Sequence, residues 1–121
     1  MKTPWMEYTL REFQAALASS SPTPGGGTAA AVALGQASAL AIMVCDLTIG
    51  KEKWKEGWEI SEKAMNLCVK MMTKSGQLAD EDSDSFDQVM ASFRLPKATD
   101  DEKEKRRLAI KASTLVATKI P

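Results

Sequence analysis

Three groups of side chains in this sequence have the types and spacing to do chemistry. The first is a glycine turn, Pro24-Gly25-Gly26-Gly27-Thr28, which opens a helix. It places free backbone N–H groups at a positive helix end, a site for an anion or a carbonyl oxygen. The same turn equally suits a helix that must pack closely on a neighbour. The second group is acidic: Asp80, Glu81, Asp82, Asp84 and Asp87. Wound as a helix at about 100° per residue, Cys68, Met72, Ala79, Phe86, Val89 and Phe93 share one stripe. Asp80, Asp84 and Asp87 point away from it toward solvent, whereas Asp82 falls on it. A carboxylate on an apolar stripe is costly unless it is paired with a cation or used in a reaction. The third group is two basic turns, Lys51 with Lys53 and Arg94 with Lys97. Either pair can hold a carboxylated ligand or remain solvated at the surface.

What the sequence lacks is equally informative. It has no histidine, so serine–histidine and cysteine–histidine catalysis are excluded within the chain. Cys45 and Cys68 lie far apart in apolar helical contexts, without CxxC spacing. They read as buried free thiols of a reducing compartment, and no metal site is expected. The glycines follow no strand and precede no phosphate-loop lysine, which argues against a nucleotide site. Lys plus Arg and Asp plus Glu both number 16, so the chain lacks the basic excess of a nucleic-acid binder. The N-terminal residues contain no apolar signal core, and a cytoplasmic location is expected.

The elements that must position these groups are helical. Thr9 and Glu12 form a capping-box pattern ahead of Leu10, Phe13, Ala16 and Leu17. Prolines and glycines break the chain between Ser19 and Gly27. A helix from Thr28 to about Thr48 carries no charge before Asp46 and is rich in small residues. Gly27, Ala31, Gly35 and Ala39 form one row, and Ala29, Ala33, Ala37, Ala41 and Cys45 a second. Such rows let another backbone come close. The pattern predicts a central helix buried on most sides rather than a membrane span. A second long helix runs from Trp54 or Trp58 toward Phe93, with Gly76 its weak point. Leu95-Pro96 ends it. Thr99 caps a further helix with Leu108, Ala112, Leu115 and Val116 on one face, running into Ile120-Pro121. The fold expected is all-α: one domain over residues 1–121, a bundle of long antiparallel helices, orthogonal or up-down, that is oligomeric.

Four blocks resemble one family in order. Pro22-Thr23-Pro24-Gly25-Gly26-Gly27-Thr28-Ala29-Ala30 resembles its N-terminal motif, in which the position of Thr28 is often serine. Leu47-Thr48-Ile49-Gly50-Lys51, Asp82-Ser83-Asp84-Ser85-Phe86 and Arg94-Leu95-Pro96-Lys97 resemble the later blocks. The family is formimidoyltetrahydrofolate cyclodeaminase, which includes related methenyltetrahydrofolate cyclohydrolases. Asp46 departs from it, standing where the family usually has asparagine. The family's domain also continues beyond Ile120-Pro121, so the chain resembles the N-terminal part of such a domain.

The resemblance implies an enzyme of one-carbon folate metabolism. Its first expected reaction is cyclisation of 5-formiminotetrahydrofolate to 5,10-methenyltetrahydrofolate with loss of ammonia. The alternative is the cyclohydrolase, which adds water to the same methenyl carbon. Neither requires a metal or redox cofactor. The resemblance assigns catalysis to Asp82 and Lys51, and substrate binding to Gly25, Gly26, Gly27, Thr28, Asp46 and Lys97. It implies a folate substrate and a homodimer or larger homo-oligomer, with no nucleic-acid or membrane partner. A non-catalytic helical oligomerisation scaffold is the competing reading, because the small-residue helix suits subunit packing equally well.

Overall fold

The computed structural model describes residues 2–119. Ile120-Pro121, where the sequence runs its last helix out, lie outside the described residues, as does Met1. Among the described residues there are four α-helices and no strand: α1 (Leu10–Leu17), α2 (Gly26–Thr48), α3 (Trp58–Phe93) and α4 (Asp100–Thr118). Short 3-10 turns, Trp5–Glu7 and Glu52–Gly57, precede α1 and α3. Both expected capping boxes form. The Thr9 hydroxyl accepts from the Glu12 N–H while the Glu12 carboxylate accepts from the Thr9 N–H. Thr99 and Glu102 repeat the arrangement at α4. Satisfying two orphan donors at each start is what lets these helices begin where they do.

The fold is organised by α2 and α3, which run antiparallel in close contact. Thr28 of α2 meets Ala79 and Ser83 of α3, Gly35 meets Ser75, and Thr48 meets Gly57 just before α3. The buried positions of α2 are Thr28, Gly35, Ser38 and Cys45, and those of α3 are Cys68, Ser75, Ala79, Ser83, Ser85 and Ser92. The α2 positions are spaced seven, three and seven apart, the seam of two helices packed nearly lengthwise. Nearly all of these side chains are small, so the backbones come close. A Cβ built at Gly35 falls 3.0 Å from the Ser75 Cβ. Gly76, the weak point by propensity, admits Met6 of the N-terminal turn, whose Cγ lies 2.7 Å from a Cβ built there.

Three expectations are corrected by this packing. First, α2 is not buried on most sides: 22% of its apolar window is buried, and Leu34, Leu40, Met43, Val44 and Leu47 are exposed. Small residues make the contact with α3, which leaves the larger ones facing out. By length and composition alone, α2 is apolar enough to cross a membrane, although one of its sides packs along α3. Second, the large members of the α3 stripe, Met72, Phe86 and Phe93, are exposed, because serines occupy the seam. Third, α4 turns Leu108, Leu115 and Val116 outward and meets α3 through Ala109 and Ser113. The Ser92 hydroxyl there lies 3.1 Å from that of Ser113.

Two stability changes follow. Gly35→Ala drives a methyl group into Ser75 and is expected to cost about 1–2 kcal/mol in urea unfolding, even though alanine favours the helix. Ser38→Ala has the opposite sign. Its hydroxyl is buried without a hydrogen-bond partner among the described residues. Removing it is expected to raise unfolding stability by about 1 kcal/mol.

Candidate functional site

The glycine turn and Asp82 come together across the α2–α3 seam. Gly25 is the N-cap of α2 in extended conformation, and no side chain caps the helix. Its first N–H groups therefore remain available at the positive end. Gly27 faces the Asp82 carboxylate so closely that a Cβ built there falls 2.6 Å from the Asp82 Cγ. Any larger residue at position 27 must displace the carboxylate. A cleft of about 250 Å³ opens here, lined by Pro22, Thr23, Gly25, Gly26, Gly27, Asp82 and Phe86.

Asp82 is half-buried and held by a hydroxyl rather than, among the described residues, by a cation. The Thr28 hydroxyl lies 3.3 Å from the Asp82 Oδ2, and 2.6 Å from the Ser83 Oγ. Thr28 is fully buried and Ser83 nearly so. Among the described residues no lysine or arginine forms an ion pair with Asp82. Of the two readings open at the sequence level, a pairing cation is the one the geometry does not supply. The carboxylate sits at a seam, anchored on one oxygen, with the cleft beside it.

Asp80, Asp84 and Asp87 are tied to the N-terminal segment, not simply solvated, while Glu81 accepts from Gln77 one turn earlier on α3. The Lys2 ammonium bridges Asp84 and Asp87. The hydrogen bond to Asp87, reinforced by that to Asp84, raises the Lys2 pKa above its ordinary value. The Trp5 backbone N–H donates to Asp80 at 2.9 Å, and the Thr23 hydroxyl donates to Asp87 at 2.9 Å. These groups line a second hollow of about 440 Å³, which shares Thr23 with the Asp82 cleft.

The structure gathers Gly25, Gly26, Gly27, Thr28 and Asp82, and it separates the rest. Asp46 and Lys51 are exposed at the far end of α2, roughly 30 Å from Asp82 at 1.5 Å per helical residue. Lys97 is exposed beyond the end of α3, and Asp82 lies some three turns before that end. Within one chain, Lys51 and Asp82 cannot act on one atom. Sequence reasoning passed over Ser83, Trp5 and Lys2. Ser83 had a usable signal, since it lies one helical turn after Ala79 on the small-residue side of α3. Trp5 and Lys2 had none, because their partners lie more than 70 residues away. Among the described residues no three Cys, Asp or Glu side chains converge as metal ligands would.

Comparison with known proteins places these features. Residues 9–121 match the family model described as formiminotransferase-cyclodeaminase. The chain is 44% identical over 117 residues to a methenyltetrahydrofolate cyclohydrolase of Methylorubrum extorquens, covering 93% of this chain and 54% of that protein. It is 30% identical over 112 residues to the formimidoyltransferase-cyclodeaminase of Gallus gallus, covering 93% of this chain and 21% of that one. The fold is similar to the crystal structure of formiminotetrahydrofolate cyclodeaminase from Thermotoga maritima, with a TM-score of 0.67 at 24% identity. That match covers 95% of this chain and 57% of the other. The chain thus spans about half the length of the cyclohydrolase and a fifth of the bifunctional protein. With the family model matching all but the first eight residues, the chain belongs to the formiminotransferase-cyclodeaminase family.

Proposed function

We propose that this chain works on the one-carbon unit held between two nitrogens of tetrahydrofolate, with Asp82 as the proton-handling carboxylate. The observation that carries the reading is Asp82 itself: half-buried, without a pairing cation among the described residues, beside a cleft and an uncapped helix start. Cyclodeaminase and cyclohydrolase chemistry share a tetrahedral carbon reached from or leading to a delocalised N–C–N cation. A carboxylate in a partly dry site stabilises that cation and moves the proton. In the cyclohydrolase direction, water adds to the methenyl carbon and its proton passes to Asp82. One C–N bond then breaks as the hydroxyl oxygen closes to the formyl C=O and releases its proton to solvent, and the leaving nitrogen takes the first proton back from Asp82. In the cyclodeaminase direction a folate nitrogen adds to the formimino carbon and ammonia leaves. The 44% likeness to a cyclohydrolase, against 30% to a cyclodeaminase, favours the first. Neither route calls for a metal or redox group, and a cytoplasmic setting suits the two free cysteines.

The assembly we propose is a homo-oligomer in which α2 packs on α2. The described chain exposes 8828 Å², whereas a compact monomer of its mass exposes roughly 6,400 Å². The excess is of the size that an obligate subunit interface, or further helices of the same protein, would cover. Much of it is apolar and lies on α2, at Leu40, Met43, Val44 and Leu47. A two-fold contact of a helix with its own copy, about an axis across it, is antiparallel. That brings the Lys51 end of one copy toward the glycine turn and Asp82 of the other. Lys51 would then complete the site from the partner, as proton donor or as anchor for the folate carboxylates.

The activity is tested by following methenyltetrahydrofolate absorbance with formiminotetrahydrofolate, and separately with the methenyl compound. Accelerated loss of the methenyl compound identifies the cyclohydrolase, and its appearance from the formimino compound the cyclodeaminase. Asp82→Asn is expected to lower the rate by at least about 100-fold, the scale of general acid–base catalysis, with helical circular dichroism unchanged. Gly27→Ala, which displaces the carboxylate, should fall in the same direction. Full activity in Asp82→Asn ends this mechanism.

Assembly is tested by light scattering at micromolar concentration, where a monomer refutes the proposed contact. Mixing inactive Asp82→Asn and Lys51→Ala chains then separates the two placements of Lys51. Sites shared across a dimer regain about a quarter of wild-type activity, since half the random dimers are mixed and each carries one intact site. Sites confined to one chain regain none.

A further inference from the structure

The hydroxyl that holds Asp82 is the end of a longer chain of hydrogen bonds. The Trp5 indole Nε1–H donates to the Ser83 Oγ at 2.8 Å. Ser83 and Thr28 hydroxyls lie 2.6 Å apart, and Thr28 lies 3.3 Å from the Asp82 Oδ2. An indole N–H can only donate. Ser83 therefore accepts from Trp5 with one lone pair, which favours sending its own hydrogen to the Thr28 oxygen, although either hydroxyl can donate to the other. The Thr28 hydrogen is then left for the carboxylate, or for the Ala79 carbonyl, also 3.3 Å away. Without the indole, the Ser83–Thr28 bond can turn round: Thr28 donates to Ser83, and Asp82 loses its donor.

We infer that Trp5 is a positioning residue for Asp82, acting through Ser83 and Thr28 to keep a hydrogen-bond donor aimed at the carboxylate. Hydrogen bonds in such a chain polarise one another, and Ser83 and Thr28 are buried, where the effect is largest. Trp5 itself is held from three sides. Its backbone N–H donates to Asp80, its ring packs on Tyr8 at 4.8 Å, and it meets Phe13 edge-on at 5.8 Å between centroids. Lys2, on Asp84 and Asp87, secures the segment just ahead of it. The N-terminal segment is thus part of the site, although residues 2–8 lie outside the family-matched region. The charged groups around the relay are Asp80, Asp84 and Asp87 on α3 and Lys2 on the N-terminal segment. The first turn of α2 presents no charge to it.

The inference rests on Asp82 as the reactive carboxylate of the proposed reaction, but its test needs no turnover. Trp5→Phe keeps the ring and removes the N–H. The NMR resonance of the Asp82 carboxyl carbon is expected to move in this variant, because the carboxylate loses its hydrogen-bond donor. Thr28→Val should shift it likewise, and Trp5→Phe added to Thr28→Val should shift it no further, since both remove the same donor. In the wild-type chain the buried Thr28 hydroxyl proton, slow to exchange, should show a nuclear Overhauser contact with the Asp82 side chain. That measurement stands even where a variant folds poorly. If activity is present, kcat of Trp5→Phe should fall roughly threefold to tenfold with KM little changed. An Asp82 carboxyl resonance identical in wild type and Trp5→Phe overturns the relay, as does a Thr28 hydroxyl proton aimed at Ser83. A carboxyl resonance that responds to Trp5 in a chain inactive on both folates supports the relay and instead defeats the proposed function.

Discussion

The close approach of α2 and α3 is the constraint on which the rest of this structure depends. Helices packed on large side chains keep their axes 8–10 Å apart, and small residues at the contact bring them to the near end of that range. Here the seam is Thr28, Gly35 and Ser38 against Ser75, Ala79 and Ser83. A seam this narrow leaves no room for a side chain at position 27 once Asp82 is in place. The same closeness puts a threonine hydroxyl, rather than water, against the carboxylate. Packing and chemistry here have one cause.

A seam of serines has a cost that explains its composition. A buried hydroxyl without a partner is destabilising. A serine in a helix can return its hydrogen to a carbonyl three or four residues earlier. Ser75, Ser85 and Ser92 do so, to Met72, Asp82 and Gln88. The face is thereby satisfied within α3 and needs nothing from α2. Thr28 and Ser83 differ, because their hydroxyls bond each other across the seam. Cross-helix polar contacts fix register, since sliding by one turn breaks them. They therefore hold the glycine turn level with Asp82.

Much of this was legible in the sequence, and what was not has a physical reason. Helix starts carried local signals: Thr9 with Glu12 and Thr99 with Glu102 lie three residues apart and close on themselves. The length of α3 followed from the absence of proline, and phase set Asp82 apart from Asp80, Asp84 and Asp87 by placing it on the apolar stripe. Helix rotation was harder. Phase analysis weights large apolar residues, so Met72, Phe86 and Phe93 pulled the expected stripe away from the serines that make the contact. For α2, apolar on all sides, periodicity gave little guidance. Partners 75 or more residues apart, such as Trp5 with Asp80, leave no local trace.

The separation of Lys51 from Asp82 is the point at which local pattern and global topology part. Both stand in blocks that resemble one family, and a site drawn from sequence joins them. An antiparallel pair of helices as long as α2 and α3 puts their blocks at opposite ends instead. Under the proposed assembly a reaction that needs both groups draws them from two chains; otherwise it relies on Asp82 with the groups around it. The exposed face of α2 argues for the first, because uncovered leucine, valine and methionine on a helix that contributes one wall of the site are unstable in water unless something packs on them. The relay from Trp5 bears on the second. It supplies Asp82 with a fixed donor from within the chain, so the carboxylate is oriented before any partner arrives. On that view assembly completes the site, and the α2–α3 seam prepares it.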